Sequence, residues 1–221
     1  MTTPSVALCA SCALIASASA SAGFTGYSGE RVITASGTTR YTIYANFSAA
    51  NVVFLGAFNW QNLGGPLNAR HQDAFTADGE VGTWQAGSSV SAADRGEDSW
   101  VTASGLATAS GWGTALDPGF ANGGTVRDIN NGAGWYDATP GTPNPILAGG
   151  SQGGYRMLIM QIVRTGDDSG DSCIHFSLQV SYRVSGSTTT VGQGSIVVFC
   201  PAPGAMSLLL AGGIAQRRRR H

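Results

Sequence analysis

The chain has 221 residues, enough for one globular domain or at most two, and only 11% of them are charged, against about 25% in an average soluble domain. Its 32 glycines and 43% hydrophobic content favour an all-β domain with many turns. Without the four C-terminal arginines, the chain has 8 arginines and 13 acidic residues. This net charge of −5 argues against nucleic-acid binding, which needs a clustered basic face.

The N-terminal segment has the pattern of a secretory signal peptide. An apolar core runs from about Val6 to Ala16, and small residues follow as far as Ala20-Ser21-Ala22, an A-x-A cleavage site. The core is too short for a transmembrane helix, which needs about 20 apolar residues. We therefore expect residues 1–22 to be removed on export, so that the mature chain begins at Gly23.

Four stretches of the body predict β-strands. Residues 40–47 and 174–184 alternate apolar and polar side chains, as expected for strands with one buried face. Residues 51–58 form a further strand. Residues 155–164 are apolar on both sides over their middle, which is typical of a central strand that is covered on both faces.

Turn-forming segments separate these strands. Leu63–Pro66, Pro118–Gly124 and Thr139–Pro145 are rich in glycine, proline or asparagine, which supply turns and positive-φ positions. The body shows no convincing 3.6-residue period of an amphipathic helix. The sequence therefore predicts an all-β fold, a single jelly-roll-like β-sandwich over residues 23–200 with long Gly/Pro-rich loops.

Cys173 and Cys200 are the two cysteines of the predicted mature chain, and we expect them to pair in an oxidising compartment. If the last two strands form a hairpin that turns at Gly186–Ser187, the cysteines lie directly opposite each other, within disulfide range. The same register points Ile196 outward, and a bulge in the last strand is the alternative. The bridge closes a loop of roughly 27 residues, which contributes about 3 kcal/mol.

Sequence motifs give little support for catalysis. The predicted mature chain has no phosphate-binding loop, no His-Glu-x-x-His and no Cys-x-x-Cys. His71 lies in a loop near Asp73, and we interpret it as a surface residue. With both cysteines paired, neither a zinc site nor a thiol nucleophile is expected. The sequence therefore favours a protein that is not an enzyme.

The densest acidic cluster consists of Asp167, Asp168 and Asp171, in the loop between two predicted strands. Calcium prefers carboxylate oxygens from such turns, which makes these residues candidate ligands. Their spacing does not match the twelve-residue calcium loop, and a solvated loop is the alternative interpretation. Calcium is the one cofactor that the sequence suggests.

Five tryptophans fall in the loop-rich middle of the chain. Most of them are expected to pack under the long loops as core residues. One or two could instead line a face that stacks on extracellular polysaccharide. The candidates for glycan stacking are Trp84, Trp100, Trp112 and Trp135.

The C-terminal segment, residues 201–221, combines a proline-flanked motif, an apolar run at residues 205–215 and a basic cluster. The motif is Pro201, Ala202, Pro203 and Gly204, and the cluster is Arg217, Arg218, Arg219 and Arg220. This order resembles a bacterial PEP-CTERM sorting signal, with Ala202 in place of the glutamate. The resemblance implies transient recognition in the membrane by an exosortase-type transpeptidase, removal of the tail, and delivery to the cell surface or extracellular matrix.

These features predict an exported bacterial protein of structural or binding type, processed at its C-terminus, with extracellular polysaccharide as a candidate partner. Two alternatives stay open: a secreted carbohydrate-active enzyme that uses a carboxylate pair, and a calcium-stabilised adhesin module. Two carboxylates about 5 to 10 Å apart in a tryptophan-lined cleft would favour the enzyme.

Overall fold

The structure is a computed structural model. It describes residues 23–72, 83–85, 95–103, 113–120, 127–138, 147–148, 154–165, 174–184 and 188–198. Several predictions concern residues outside these ranges and stay predictions. They are the signal segment 1–22, the calcium ligands Asp167, Asp168 and Asp171, the cysteines Cys173 and Cys200, the glycan-stacking residue Trp112, and the sorting tail 201–221.

Ten β-strands make up almost all the regular structure of the described residues. They are β1 (Phe24–Ile33), β2 (Thr39–Phe47), β3 (Val52–Asn62), β4 (Trp100–Val101), β5 (Thr114–Leu116), β6 (Trp135–Asp137), β7 (Leu147–Ala148), β8 (Tyr155–Arg164), β9 (Ile174–Val184) and β10 (Thr189–Val198). A helical turn at residues 95–97 is the exception. Within the described ranges, there is no helix with the length and hydropathy of a membrane span.

The strands form two antiparallel sheets. The first sheet has the order β1-β2-β8-β4, with β7 also paired to β8, and the second has the order β10-β9-β3-β6-β5. The connections from β2 to β3 and from β8 to β9 each pass from the first sheet to the second. The four strands predicted from the sequence correspond to β2, β3, β8 and β9. The predicted all-β sandwich is therefore confirmed.

The core lies between the sheets and is built from alternate side chains of the long strands. On β9 the buried residues alternate with partly exposed polar ones, as the sequence predicts. Phe176 of β9 stacks on Trp60 of β3 with 4.4 Å between the ring centroids. The other buried apolar side chains of β9 are Ile174, Leu178, Val180 and Tyr182.

β10 pairs with β9 in a register that lies one residue away from the predicted one. Gln193 is opposite Gln179, and Ile196 is opposite Phe176. Because side chains alternate between faces, this shift turns Ile196 toward the core and Gln193 toward solvent. The register that set the two cysteines directly opposite each other is therefore wrong, while the disulfide itself stays a prediction.

The first and last strands meet at one edge of the sandwich, although they belong to different sheets. Phe24 and Tyr27 of β1 lie over Gly192 and Gly194 of β10, and a Cβ at Gly192 would lie 2.6 Å from Phe24 Cδ1. Tyr27 donates its hydroxyl to the carbonyl of Leu178 at 2.8 Å, and burial raises the pKa of Tyr27. Glycine on β10 thus makes room for the two rings that close this edge.

Candidate functional site

The tryptophans predicted to stack on sugars are core residues. Trp84, Trp100 and Trp135 are 0%, 1% and 1% exposed, so a sugar has no access to their rings. The Trp135 indole donates to the carbonyl of Thr102 at 3.1 Å, and Trp84 packs edge-on against His71. The prediction of glycan stacking is wrong for these three residues, because their large rings fill the interior instead.

His71 is buried, which contradicts its interpretation as a surface loop residue. Its acidic neighbour is Asp98: the distance from His71 Nδ1 to Asp98 Oδ1 is 3.6 Å, and both side chains are fully buried. Two backbone segments bring them together, because Ser99 N donates to Arg70 O at 2.9 Å. A separation of 27 positions along the chain hides this pair from local sequence patterns.

Hydrogen bonds fix the orientation of both members of the pair. His71 Nδ1 lies 3.0 Å from the carbonyl oxygen of Ser99, and since a carbonyl only accepts, Nδ1 is the donor. Asp98 Oδ1 accepts from the backbone N–H of Gln72 at 2.9 Å. Among the described residues, neither His71 Nε2 nor Asp98 Oδ2 has a hydrogen-bond partner. Because both side chains are shielded from solvent, we assign the pair a structural role that holds two loop segments together.

The turn at residues 95–98 covers one end of the outer face of the first sheet. Gln161 of β8 donates its side-chain amide to the carbonyls of Arg95 and Asp98, at 2.6 and 2.7 Å. From the other side, the hydroxyl of Thr38 donates to Glu97 at 2.5 Å. These bonds join the turn to β8 and to the connection between β1 and β2.

Hydroxyl groups in that connection keep Glu97 ionised. Partial burial alone acts to raise the pKa of Glu97, but hydrogen bonds from Thr38, Ser36 and Thr34 lower it, and the charge of Arg70 lowers it further. The net effect is a pKa below the usual value for a glutamate. An acid with this arrangement stays a carboxylate at neutral pH and serves as an acceptor that links two turns.

Charged groups mark the rest of the outer face of the first sheet. Arg156 of β8 forms an ion pair with Glu30 of β1, and its guanidinium lies 4.1 Å from the centre of the Tyr44 ring. Burial and the Glu30 carboxylate raise the pKa of Tyr44. Tyr44 is buried beneath this pair, so its ring is no platform for a ligand.

Between His175 and Arg183 of β9, the outer face of the second sheet presents amides and hydroxyls. Alternate residues of β9 point outward there, and those of β10 lie opposite them. Gln179 of β9 donates its side-chain amide to Gln193 Oε1 of β10 at 3.2 Å. We call this surface the neutral face, and it consists of Ser177, Gln179, Ser181, Gln193, Ser195 and Tyr136.

Tyr136 gives the neutral face an exposed aromatic ring, since 49% of the residue is accessible. β6 pairs Tyr136 with Gly56 of β3, and Gly56 also lies opposite Ser181 of β9. A Cβ at Gly56 would lie 2.7 Å from the carbonyl oxygen of Trp135, so this position tolerates no side chain. Tyr136 therefore packs directly against Gly56, and on the other side of Gly56 the hydroxyl of Ser181 donates to its carbonyl at 3.4 Å.

The sequence contains a signal for Tyr136, although it was not among the predicted stacking residues. Trp135, Tyr136 and Asp137 form strand β6, and adjacent side chains of a strand point to opposite faces. Burial of the larger Trp135 in the core therefore turns Tyr136 outward. Counting tryptophans alone selects the buried ring and misses the exposed one.

The described ranges contain no group of three or more histidine, cysteine, aspartate or glutamate side chains that could hold a metal ion. Residues 149–153 read Gly-x-Ser-x-Gly, the pattern of a nucleophile elbow and a motif that counts against the prediction of a non-enzyme, and they lie outside the described ranges. No protein-family model, curated protein or solved structure matches this chain. We therefore infer the function from the geometry of the two outer faces and from the two ends of the sequence.

Proposed function

We propose that the protein is an exported structural or binding protein of the bacterial cell surface or extracellular matrix, and that its β-sandwich is not an enzyme. The signal-type N-terminus supports export. The tail that resembles a PEP-CTERM signal supports processing at the C-terminus. Its short apolar run is too short for a stable span, and the arginines at 217–220 hold the segment on the cytoplasmic side until it is cut.

The observation that carries the proposal is the complete burial of the His71–Asp98 pair. These two side chains have the functional groups of a general base and its orienting acid. Both are placed where they join backbone segments and where a dissolved substrate has no contact with them. Between His175 and Arg183, the outer face of the second sheet carries serine and glutamine side chains and the exposed ring of Tyr136, and these groups suit binding.

Mass spectrometry of the protein recovered from the surface of its native cells tests this proposal. We expect a chain that begins near Gly23 and lacks the arginines at 217–220. A matched variant with glutamine at these four positions should keep its tail and remain in the membrane fraction, because the basic cluster that orients the segment is gone.

Recovery of the unprocessed chain from the cytoplasm, with His221 still at its end, would refute the proposal. An identical distribution of the wild type and the glutamine variant would contradict the role assigned to the basic cluster.

A further inference from the structure

We propose that the neutral face of the second sheet binds an uncharged polysaccharide. This inference rests on the proposed function, because it names the ligand class of an exported binding protein. The ligand would lie across strands β10, β9, β3 and β6. Four neighbouring strands span roughly 14 Å at the usual strand spacing, which is long enough to contact several sugar units.

The hydrogen-bonding groups of the neutral face match those of a sugar. Each sugar hydroxyl both donates and accepts, and so does each serine hydroxyl and each glutamine amide. Gln179 and Gln193 use one group each in the bond that joins them. The remaining atoms of the two amides, Gln179 Oε1 and Gln193 Nε2, have no protein hydrogen-bond partner among the described residues. Next to this pair along the two strands, Ser177 and Ser195 lie opposite each other and add two hydroxyls.

Charge distinguishes this face from the other side of the molecule. The outer face of the first sheet carries the Glu30–Arg156 ion pair and is covered at one end by the turn at residues 95–98. The six residues of the neutral face carry no charge, and the two basic side chains in the same outward row of β9, His175 and Arg183, lie at its two ends, opposite Val197 and Thr189. A face without charge offers no attraction to an acidic polymer or to nucleic acid, whose binding depends on clustered cations. An uncharged polymer is the complementary partner.

Tyr136 supplies the apolar contact that such binding needs. Its exposed ring can pack against the C–H face of a sugar ring while its hydroxyl stays in contact with water. Gly56 of β3 stands between Tyr136 and Ser181 and contributes no side chain of its own between them. Val191 of β10, which is 56% exposed and lies opposite Ser181, extends this row with a second apolar contact.

Affinity gel electrophoresis of the full chain tests the proposal. The gels contain hydroxyethylcellulose, dextran or galactomannan as uncharged polymers and alginate as the charged control. We expect retardation by at least one uncharged polymer and none by alginate. Tyr136→Ala and Gln193→Glu should each weaken binding about fivefold to tenfold, because they remove the stacking ring or place a charge on the face.

Two variants on β1 serve as matched controls. Ile33→Ala removes an exposed apolar side chain, and Val32→Glu adds a carboxylate at an exposed position, both at the opposite end of β1 from the contact of Phe24 with Gly192. We expect wild-type affinity from both. Because all four positions are exposed or nearly half-exposed, none of these substitutions disturbs the core.

Three results would overturn the proposal. The first is no retardation by any of the three uncharged polymers, and the second is wild-type binding by Tyr136→Ala and Gln193→Glu. The third is a dimer in sedimentation that Gln193→Glu dissociates, because a second copy of the chain would then occupy the face. A processed surface protein that fails to bind polysaccharide refutes this inference alone, whereas an unprocessed cytoplasmic chain refutes the proposed function.

Discussion

The ring of Phe24 lies directly on Gly192, so that the first strand of one sheet contacts the last strand of the other at a residue without a side chain. This contact explains why β10 contains glycine at an inward position where the opposite residue of β9 is the buried Val180. The aromatic ring takes the volume that a β10 side chain would otherwise fill.

We expect Gly192→Ala to lower the free energy of unfolding by about 1–3 kcal/mol, because its methyl group overlaps the Phe24 ring. Urea denaturation of the wild type and the variant gives the difference. Gly65→Ala is the matched control, since a Cβ there has no atom within 4 Å. Equal losses in the two variants would show that the contact with Phe24 is not the cause.

The buried His71–Asp98 pair predicts a large loss of stability when either side chain is removed. We expect His71→Ala to cost about 3 kcal/mol, because it leaves Asp98 buried without its neighbour and removes the contact with Trp84. His175→Ala, on the outward side of β9, should cost less than about 0.5 kcal/mol. Asp98→Asn should cost less than Asp98→Ala, since it retains an acceptor for Gln72 N. A small loss for His71→Ala would contradict the structural role.

Glu97 predicts a stability that falls in acid. Its pKa is lower in the folded chain than in the unfolded chain, so the unfolded chain takes up a proton first as the pH falls. The stabilising contribution is complete above the unfolded pKa of about 4.3 and disappears as the pH drops through the folded pKa. Comparison of Glu97→Gln with the wild type by urea denaturation at pH 7 and pH 3 isolates this contribution. We expect the difference to be larger at pH 7, and the same difference at both pH values would contradict it.

The disulfide predicted between Cys173 and Cys200 has a direct chemical test. Protein recovered from the cell surface should show no free thiol when it is unfolded without reductant. Reduction should lower its stability by about 3 kcal/mol, as expected for a closed loop of roughly 27 residues. Cys173→Ser combined with Cys200→Ser should reproduce this loss without reductant. Two free thiols in the untreated protein would show that the predicted disulfide does not form.

The long central strands could be predicted because the burial of their faces determines where apolar residues occur along their sequences. β9 has one face on the core and one on solvent, and its residues alternate accordingly. β1 lacks such a signal. It is an edge strand whose last four residues are exposed, and its sequence includes Gly26, Gly29 and Glu30, which alternation does not select.

The candidate sites were harder to predict, because they depend on contacts between distant segments. The register of β10 decides whether Gln193 or Ile196 faces solvent. Glycines precede and follow Gln193, and because glycine has no side chain, the alternation of apolar and polar residues does not indicate the register there. The burial of His71 depends on a backbone pairing with residues near Ser99. No local sequence pattern indicates the register of β10 or the burial of His71, so the prediction from the sequence was wrong for both.

The meeting of β1 and β10 also sets the order in which the chain can finish folding. Tyr27 bonds to Leu178 across 151 residues, so this edge cannot close before nearly the whole body is available. Contacts of such long range form slowly, because the loop between them must be ordered first. If the chain is exported N-terminus first, as we propose, the sandwich stays open while the chain crosses the membrane. It then reaches its compact state only after its last strand has left the cytoplasm.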